Sequence, residues 1–373
     1  MLNNLTNFYN LISSRMIKKV PENTDLMVLG THDPKYNGGY KPTAITVEDF
    51  IASIPIPTSP SAPTDISIEG SSYILIKANG TAEENGAELE AAYEQAKLAT
   101  PYNYPLSNVN RFTILVPAGI YITSADHYQF VFDTDYIDIV SLSGNADVYL
   151  SGITVSATDI LVKGIDTSKA IDLGGEQPGF NLGAYGVNQV FDTCIGGNYS
   201  FGWGGTLTGT FINCIAGNNS FASAADFSPP VGITEISPAF FTVICAGTFT
   251  NCAAGDNSFG VGFIEARATG NFTNCTAKTF SFGATVGSFG GGRASGLFKN
   301  CEGTTFCFAP DASAFTGTAY NCISGSNSFA NEVNNGSLYY CKSSGTLPGV
   351  NPFVGGRIVL CIENGTTVVT EVI

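Results

Sequence analysis

Cysteines recur at near-constant spacing through the second half of this 373-residue chain. Eight of them end copies, some degenerate, of the phrase Gly-x-Phe-x-Asn-Cys, at steps of 20, 38, 23, 26, 21, 19 and 20 residues. A period near 20 residues is typical of a solenoid, in which each turn of the chain packs only on its neighbours. The eight are Cys194, Cys214, Cys252, Cys275, Cys301, Cys322, Cys341 and Cys361.

Other residue types recur in step with the cysteines. The phrase alternates large apolar residues with polar or small ones, and this period of two predicts strands. We expect the phenylalanines and cysteines to face inward, and each asparagine to lie at a bend whose left-handed backbone Asn tolerates. A Ser-Phe pair begins six residues after most of the cysteines. The aligned residues are Phe211, Phe249, Phe272 and Phe298, with Asn213, Asn251, Asn274, Asn300 and Asn321.

The length of the repeat also favours strands. A helical repeat needs roughly 30 or more residues to hold two helices, whereas a coil near 20 residues accommodates three short strands joined by bends. Stacked coils place equivalent strands about 4.8 Å apart and build parallel sheets along the solenoid.

The repeat resembles the right-handed parallel β-helix of the pectin-lyase-like superfamily, whose coils often carry an Asn-Cys pair after an apolar residue. The resemblance covers residues 67–373. Within it, a capping helix is predicted near residues 85–98, with Asn85 and Glu88 as a capping box. A strand ending in Val-Pro-Ala-Gly-Ile-Tyr121 follows, an order similar to the opening of many phage tailspikes and polysaccharide lyases. The predicted fold class is therefore all-β, a right-handed parallel β-helix with a small N-terminal α+β adaptor unit.

Residues 1–53 form the predicted adaptor unit and differ in character from the repeats. Apolar residues at helical spacing predict an amphipathic helix before Pro21, followed by two strands and a short helix. This first helix would either pack on its own domain or associate with symmetry mates in a larger assembly. Residues 54–66 are rich in proline and read as a stiff, extended linker.

The charge of the chain excludes some partners. Lys and Arg total 16 against 31 Asp and Glu, for a net charge of −15. Such an acidic chain is not expected to bind nucleic acid or an anionic membrane surface. The sequence has no apolar run long enough to predict a membrane span, and its first residues do not read as a signal peptide.

The ten cysteines allow two interpretations. An even number would suit the disulfides of a secreted protein, whereas eight residues in one inward slot indicate buried free thiols that pack as small apolar groups. We favour free thiols, which fit folding in a reducing cytosol. Cys245 with Cys252, and Cys301 with Cys307, are spaced too widely for the paired ligands of a zinc site. We expect neither a metal nor a cofactor.

Catalysis would need ionisable groups held at a defined separation. In the family that this chain resembles, glycan-cleaving members use paired carboxylates, and lyases use a Lys or Arg base and often Ca²⁺. Charged residues are scarce here and no cluster of three carboxylates recurs on an outer face, so we expect no cleavage. Two of the candidates, Glu265 and Arg267, are expected to form a surface ion pair. The candidates are Glu265, Arg267, Asp226, Glu235 and Asp311.

The resemblance implies a structural or receptor-binding virion protein, similar to a phage tail fibre or tailspike. It further implies a homotrimer that contacts other virion proteins through residues 1–66 and binds a host surface glycan. We expect synthesis in the host cytoplasm and localisation in the virion. One alternative is a polysaccharide depolymerase, a glycoside hydrolase or lyase, on the same β-helix. Another is a bacterial surface adhesin, which the lack of a recognisable signal peptide disfavours.

Overall fold

The computed structural model of the chain describes residues 26–32, 40–46, 71–124, 129–169, 180–182, 188–202, 206–223, 242–261, 265–284, 291–308, 315–325, 336–344, 357–363 and 366–370. The chain divides into two units, Met1–Ile66 and Ser67–Ile373. In the first unit, strands Leu26–His32 and Tyr40–Thr46 pair antiparallel. The two helices predicted for this unit and the linker over residues 54–66 lie outside the described residues.

The second unit is a parallel β-helix, and the predicted fold class is confirmed. Its longest sheet, sheet 1, has 15 strands, and all of its pairs are parallel except the final one. The strands are Tyr73–Leu75, Phe112–Val116, Ile137–Ser141, Leu161–Lys163, Val190–Asp192, Thr210–Ile212, Thr248–Thr250, Asn271–Thr273, Leu297–Lys299, Thr318–Tyr320, Ile323–Ser324, Ser337–Tyr339, Lys342–Ser343, Arg357–Glu363 and Thr366–Thr370.

The coils also pair along other sides. Sheet 2 contains Gly119–Tyr121, Val148–Leu150 and Ile165–Asp166, and it continues beyond its last strand as single-residue bridges that run from Asp166 to Ile323. Sheet 3, in the early coils, contains Phe130–Phe132, Ile153–Val155 and Phe180–Leu182. Sheet 4, in the later coils, contains Thr206–Leu207, Thr242–Cys245, Glu265–Ala268 and Gly291–Ala294.

Helix α1, Ala82–Lys97, packs on the first strands of the β-helix. Its N-cap is Thr81, whose hydroxyl accepts from the Glu84 N–H at 3.3 Å, while the Glu84 carboxylate accepts from the Thr81 N–H at 2.8 Å. The helix therefore begins before the predicted capping box, and the assignment of that box to Asn85 and Glu88 was wrong. Both sequences place a Glu three residues after a capping residue type, so the pattern alone did not distinguish them.

Asn85 and Glu88 instead attach the helix to its flanking chain. The Asn85 side chain accepts from the Gly80 N–H at 3.1 Å and donates to the Ile120 carbonyl at 3.1 Å. The Glu88 carboxylate accepts from the Lys77 N–H at 3.1 Å. These bonds satisfy backbone groups at the first coil that would otherwise lack partners.

The buried face of helix α1 carries Leu89, Tyr93 and Ala96, as its periodicity predicts. The Tyr93 hydroxyl accepts from the N–H groups of Asp133 and Thr134, each at 2.8 Å, and donates to the Asp133 carboxylate at 3.0 Å. Burial raises the pKa of Tyr93 to about 12. The hydroxyl therefore stays protonated and able to donate at any physiological pH.

The bends after sheet 1 use left-handed backbone. All five predicted asparagines have φ between 51° and 54°. A glycine lies directly before each sheet 1 strand that ends next to one of these asparagines, at a corner where successive coils approach closely. A Cβ added at Gly270 would lie 2.1 Å from the Gly247 carbonyl oxygen. Glycine is required at that corner because any side chain would collide with the backbone of the coil below.

The Ser-Phe pairs, together with Cys307-Phe308 at the equivalent position, form a second left-handed bend that the sequence did not predict. Five phenylalanines there have φ between 53° and 59°, an uncommon conformation for a bulky residue. The serine of a pair accepts a hydrogen bond from a buried backbone N–H of the preceding coil. For example, Ser220 Oγ accepts from the Ser200 N–H at 3.2 Å. The five are Phe201, Phe221, Phe259, Phe282 and Phe308, all fully buried.

Two columns of phenylalanine fill the later coils. Phe249 stacks on Phe272 at 4.9 Å between ring centroids, and Phe259 stacks on Phe282 at the same distance. Rings from the two columns meet edge to face, with Phe272 and Phe282 inclined at 87°. Both geometries are favoured by the aromatic quadrupole, so the core is an ordered array of rings.

Candidate functional site

The cysteine ladder belongs to the core. All ten cysteines are buried, and none forms a disulfide in the structure. The Cys214 thiol donates to the Phe191 carbonyl of the preceding coil at 3.4 Å. Burial raises the pKa of Cys214 and Cys245 well above the ordinary thiol value, and that of Cys307 to about 12. Because the thiolate is the form that attacks electrophiles and binds metals, burial holds these three thiols in their less reactive, protonated form.

The asparagine ladder belongs to the scaffold as well. Each side-chain amide donates to the side-chain oxygen one coil earlier, at 3.0 Å for three steps and 3.3 Å for the last. The first member, Asn213, lies 3.4 Å from the Asp192 carboxylate. Such an interlocked ladder fixes the register of successive coils. Its members are Asn213, Asn251, Asn274, Asn300 and Asn321.

The outward slot of sheet 1 changes chemistry from coil to coil. Asp192 forms an ion pair with Lys163 at 2.7 Å. Burial alone would raise the pKa of Asp192, but hydrogen bonds from Lys163 and Thr193 outweigh it and hold the pKa below its ordinary value. The slot continues through unlike residues, so it presents no repeating ligand set. They are Ile212, Thr250, Thr273, Lys299 and Tyr320.

Two of the five predicted catalytic candidates lie in described parts of the chain, and both are on sheet 4. Strand Glu265–Ala268 buries Ala266 and Ala268 completely, so Arg267 between them points to the outer face. The ion pair of Glu265 with Arg267 stays a prediction. The other three candidates, Asp226, Glu235 and Asp311, lie outside the described residues.

The register of sheet 4 adds a residue that the sequence reasoning missed. Arg293 is the direct partner of Arg267 on the next strand, and Ile244 precedes them in the same column. Arg267 is half-buried and Arg293 is exposed. A signal was present in the sequence, because each arginine lies eight residues before its ladder cysteine, Cys275 or Cys301.

Exposed hydroxyls run beside the arginines. Thr269 and Ser295 follow them by two residues at the corner before sheet 1, and Thr316 extends this column by one coil. The backbones of the column are held in step, since the Ser295 N–H donates to the Ala268 carbonyl at 3.0 Å. The face thus combines two guanidinium groups, which bind carboxylates and phosphates through paired N–H donors, with neutral donors and acceptors.

Comparisons of the chain with protein-family models, curated proteins and solved structures gave no match. Among the described residues there is no group of three or more His, Cys, Asp or Glu side chains placed to hold a metal ion. In the same part of the chain, no helix has the length and apolar character needed to cross a membrane.

Proposed function

We propose that this protein is a receptor-binding virion protein of the tail-fibre or tailspike type, whose β-helix presents a glycan-binding face. The observation that carries the proposal is the outer face of sheet 4, where Arg267 and Arg293 lie in register beside a column of exposed hydroxyls. One fold hosts many functions, so the proposal depends on this face and on the resemblance of the first coil to tailspikes.

A β-helix suits this function for a physical reason. A glycan is a flexible, hydrated chain, and a binding surface that must also order itself loses affinity. Here the ladders of phenylalanine, cysteine and asparagine hold each coil against the next. Outward residues therefore stand on a preorganised surface, and binding does not have to order the backbone beneath them.

The N-terminal unit supplies the second half of the proposal. Residues 1–66, which include the proline-rich linker, attach the protein to other virion components, and three copies assemble into a trimer. In this arrangement the linker acts as a spacer between the particle and the β-helix.

A polysaccharide depolymerase is the second candidate function, and the presence of Glu265 two residues before Arg267 on one strand favours it. Hydrolysis requires a second carboxylate at a defined separation. Within the four described strands of sheet 4, Glu265 is the single carboxylate. We therefore rank binding without cleavage above depolymerisation.

Host-cell adsorption tests the proposal. The purified full chain should bind host cells, compete with particles for adsorption, and lose binding when the surface polysaccharide is stripped from the cells. Failure to bind any host cell would refute receptor binding. Shortening of the polysaccharide that disappears in Glu265→Gln would establish the depolymerase instead.

A deletion tests the attachment role. A chain without residues 1–66, checked for β-structure by circular dichroism, should be missing from assembled particles while the full chain is incorporated. Equal incorporation of the two chains would show that attachment does not depend on these residues.

A further inference from the structure

We infer that Arg267 and Arg293 together bind an oxyanion carried by an acidic glycan, whether a sugar carboxylate or a sulfate or phosphate ester. The inference rests on the proposed function and names the ligand class for the outer face of sheet 4. It begins from the register, in which the two residues are direct partners on adjacent parallel strands. Such strands lie about 4.8 Å apart, so the two side chains leave the sheet side by side.

The charge of this slot is unusual for the chain. Like charges directly opposite one another destabilise a sheet, and the protein is acidic overall, with a net charge of −15. Even so, two arginines occupy one slot in consecutive coils, and Glu265 is the single carboxylate in the described strands of sheet 4. An oxyanion bound between the two guanidinium groups would supply a counter-charge at this slot.

Arg111 shows how this protein places an arginine that serves the scaffold. Its Nε donates to the Asp138 carboxylate at 2.8 Å, and its Nη2 donates to the Asp159 carbonyl at 2.8 Å. Its side-chain partner is thus a carboxylate of the adjacent strand, opposite in charge. Arg293 differs because its partner along the sheet is another arginine and because it is exposed.

The neighbouring groups suit a sugar rather than an isolated ion. Thr269 and Ser295 are exposed beside the arginines and offer hydroxyls to the ring oxygens and hydroxyls of a saccharide. The corner behind them is rigid, because Gly270 and Gly296 leave no room for a Cβ between coils. A guanidinium fork held on such a backbone binds an oxyanion through two parallel N–H donors.

Binding of the full chain to immobilised polymers at low ionic strength tests the inference. The polymers are hyaluronan, which carries carboxylates, carboxyl-reduced hyaluronan, which is neutral, and dextran sulfate. We expect binding to at least one charged polymer and none to the neutral one. Arg293→Gln should weaken that binding about tenfold or more, the loss typical of a hydrogen-bonded charge. Arg293→Lys should be intermediate, because it keeps the charge and loses the fork.

Lys299→Gln is the matched control, because it removes one positive charge from an exposed residue of the same coil but on sheet 1. It should change the affinity less than about twofold. Equal losses in the two Gln variants, equal binding of neutral and charged polymers, or no binding to either charged polymer would each overturn the inference. Thermal melting that matches the unmodified chain shows that a variant is folded.

The outcome stays separable from that of the proposed function. If the unmodified chain and Arg293→Gln adsorb equally to host cells, the oxyanion site is wrong and receptor binding stands. If the unmodified chain binds no host cell, receptor binding is wrong, whatever the polymers show.

Discussion

Between the N-terminal coils (residues 112–182) and the C-terminal coils (residues 188–363), the inward column of sheet 1 changes from aliphatic to aromatic side chains. Along a single inward column of sheet 1, Ile114 pairs with Ile139, and Ile139 with Val162. The next members are phenylalanines from Phe191 to Phe298, and the column then ends with Ala319, Leu338 and Ile358. The backbone register continues unbroken across this change, so the β-helix accepts either aliphatic or aromatic side chains in the inward slot.

The difference shows what repetition adds. In the N-terminal coils this column of sheet 1 is aliphatic, and its contribution to stability follows the apolar area that it buries. From Phe191 to Phe298 each ring also meets neighbours in defined stacked and edge-to-face geometries, worth roughly 0.5–1.5 kcal/mol per pair beyond burial. The gain exists because identical residues occupy identical positions in successive coils.

The bends show the same contrast. The slot that holds asparagine in later coils holds Gly164 and Thr193 at the junction, both with positive φ. The left-handed bend therefore precedes the asparagine ladder along the chain. The left-handed backbone at this position does not require asparagine, and the asparagine ladder adds stability in the coils where asparagine repeats.

Thiol reactivity should separate the two regions most sharply, because every cysteine lies in the C-terminal coils. In the native protein, reaction with a disulfide reagent should be slower than in denaturant by a factor on the order of 10³ or more, since it requires local unfolding. All ten thiols should react after denaturation. Rapid native reaction, or intact disulfides found by mass spectrometry, would contradict the buried-thiol ladder.

Phe272→Ala should cost roughly 3–5 kcal/mol of unfolding free energy, because it empties a fully packed aromatic site. The matched change in the aliphatic column is Ile139→Ala, which should cost about 2–5 kcal/mol from burial alone. Urea unfolding followed by circular dichroism measures both. A cost below about 1 kcal/mol for Phe272→Ala would mean that the ring array contributes little.

Gly270→Ala should destabilise the protein by about 1–3 kcal/mol, because the new Cβ must displace the backbone of the coil below. Gly119 in the N-terminal coils is the control. Its nearest contact would lie 3.5 Å from an added Cβ, an ordinary van der Waals distance. Gly119→Ala should be neutral or slightly stabilising, and equal effects of the two changes would remove the argument for a tight corner.

Asn274→Ala should cost about 1–2 kcal/mol, from the left-handed backbone and from two ladder hydrogen bonds. Asn274→Gly separates these causes, because it keeps the backbone conformation and removes only the bonds. We expect it to cost less than about 1 kcal/mol in the same unfolding assay. If the two substitutions cost the same, the backbone conformation contributes nothing measurable.

The ion pair between Lys163 and Asp192 joins the two regions and should have the smallest effect. The pKa of Asp192 is lowered in the folded protein, so its stabilisation is present above the unfolded pKa and is lost as the pH falls through the folded value. The pair is partly exposed, which limits its contribution. Unfolding of Lys163→Ala should show a weaker acid dependence than the unmodified chain, and an unchanged dependence would exclude this pair as a cause.

The sequence alone was enough to predict the parallel β-helix, the inward phenylalanines and the left-handed asparagines. It sufficed because residues one repeat apart in sequence occupy equivalent positions in stacked coils. A residue type that recurs at this spacing therefore indicates one position in the coil. It was weaker for the N-terminal coils, where Ile139 and Val162 share a column without sharing an identity. There the fold rested on the resemblance and on the capping helix, whose N-cap is Thr81 rather than Asn85.

Tertiary structure alone decided three features. Thr81 rather than Asn85 caps the helix, because the Asn85 side chain is buried and hydrogen-bonded to the Gly80 N–H and the Ile120 carbonyl. The left-handed Ser-Phe bend depends on the coil below, which receives the ring and satisfies the serine. The juxtaposition of Arg267 with Arg293 depends on strand register, because residues distant in sequence become neighbours only when the coils stack. Local patterns specify the coil, and contacts between coils specify its surface.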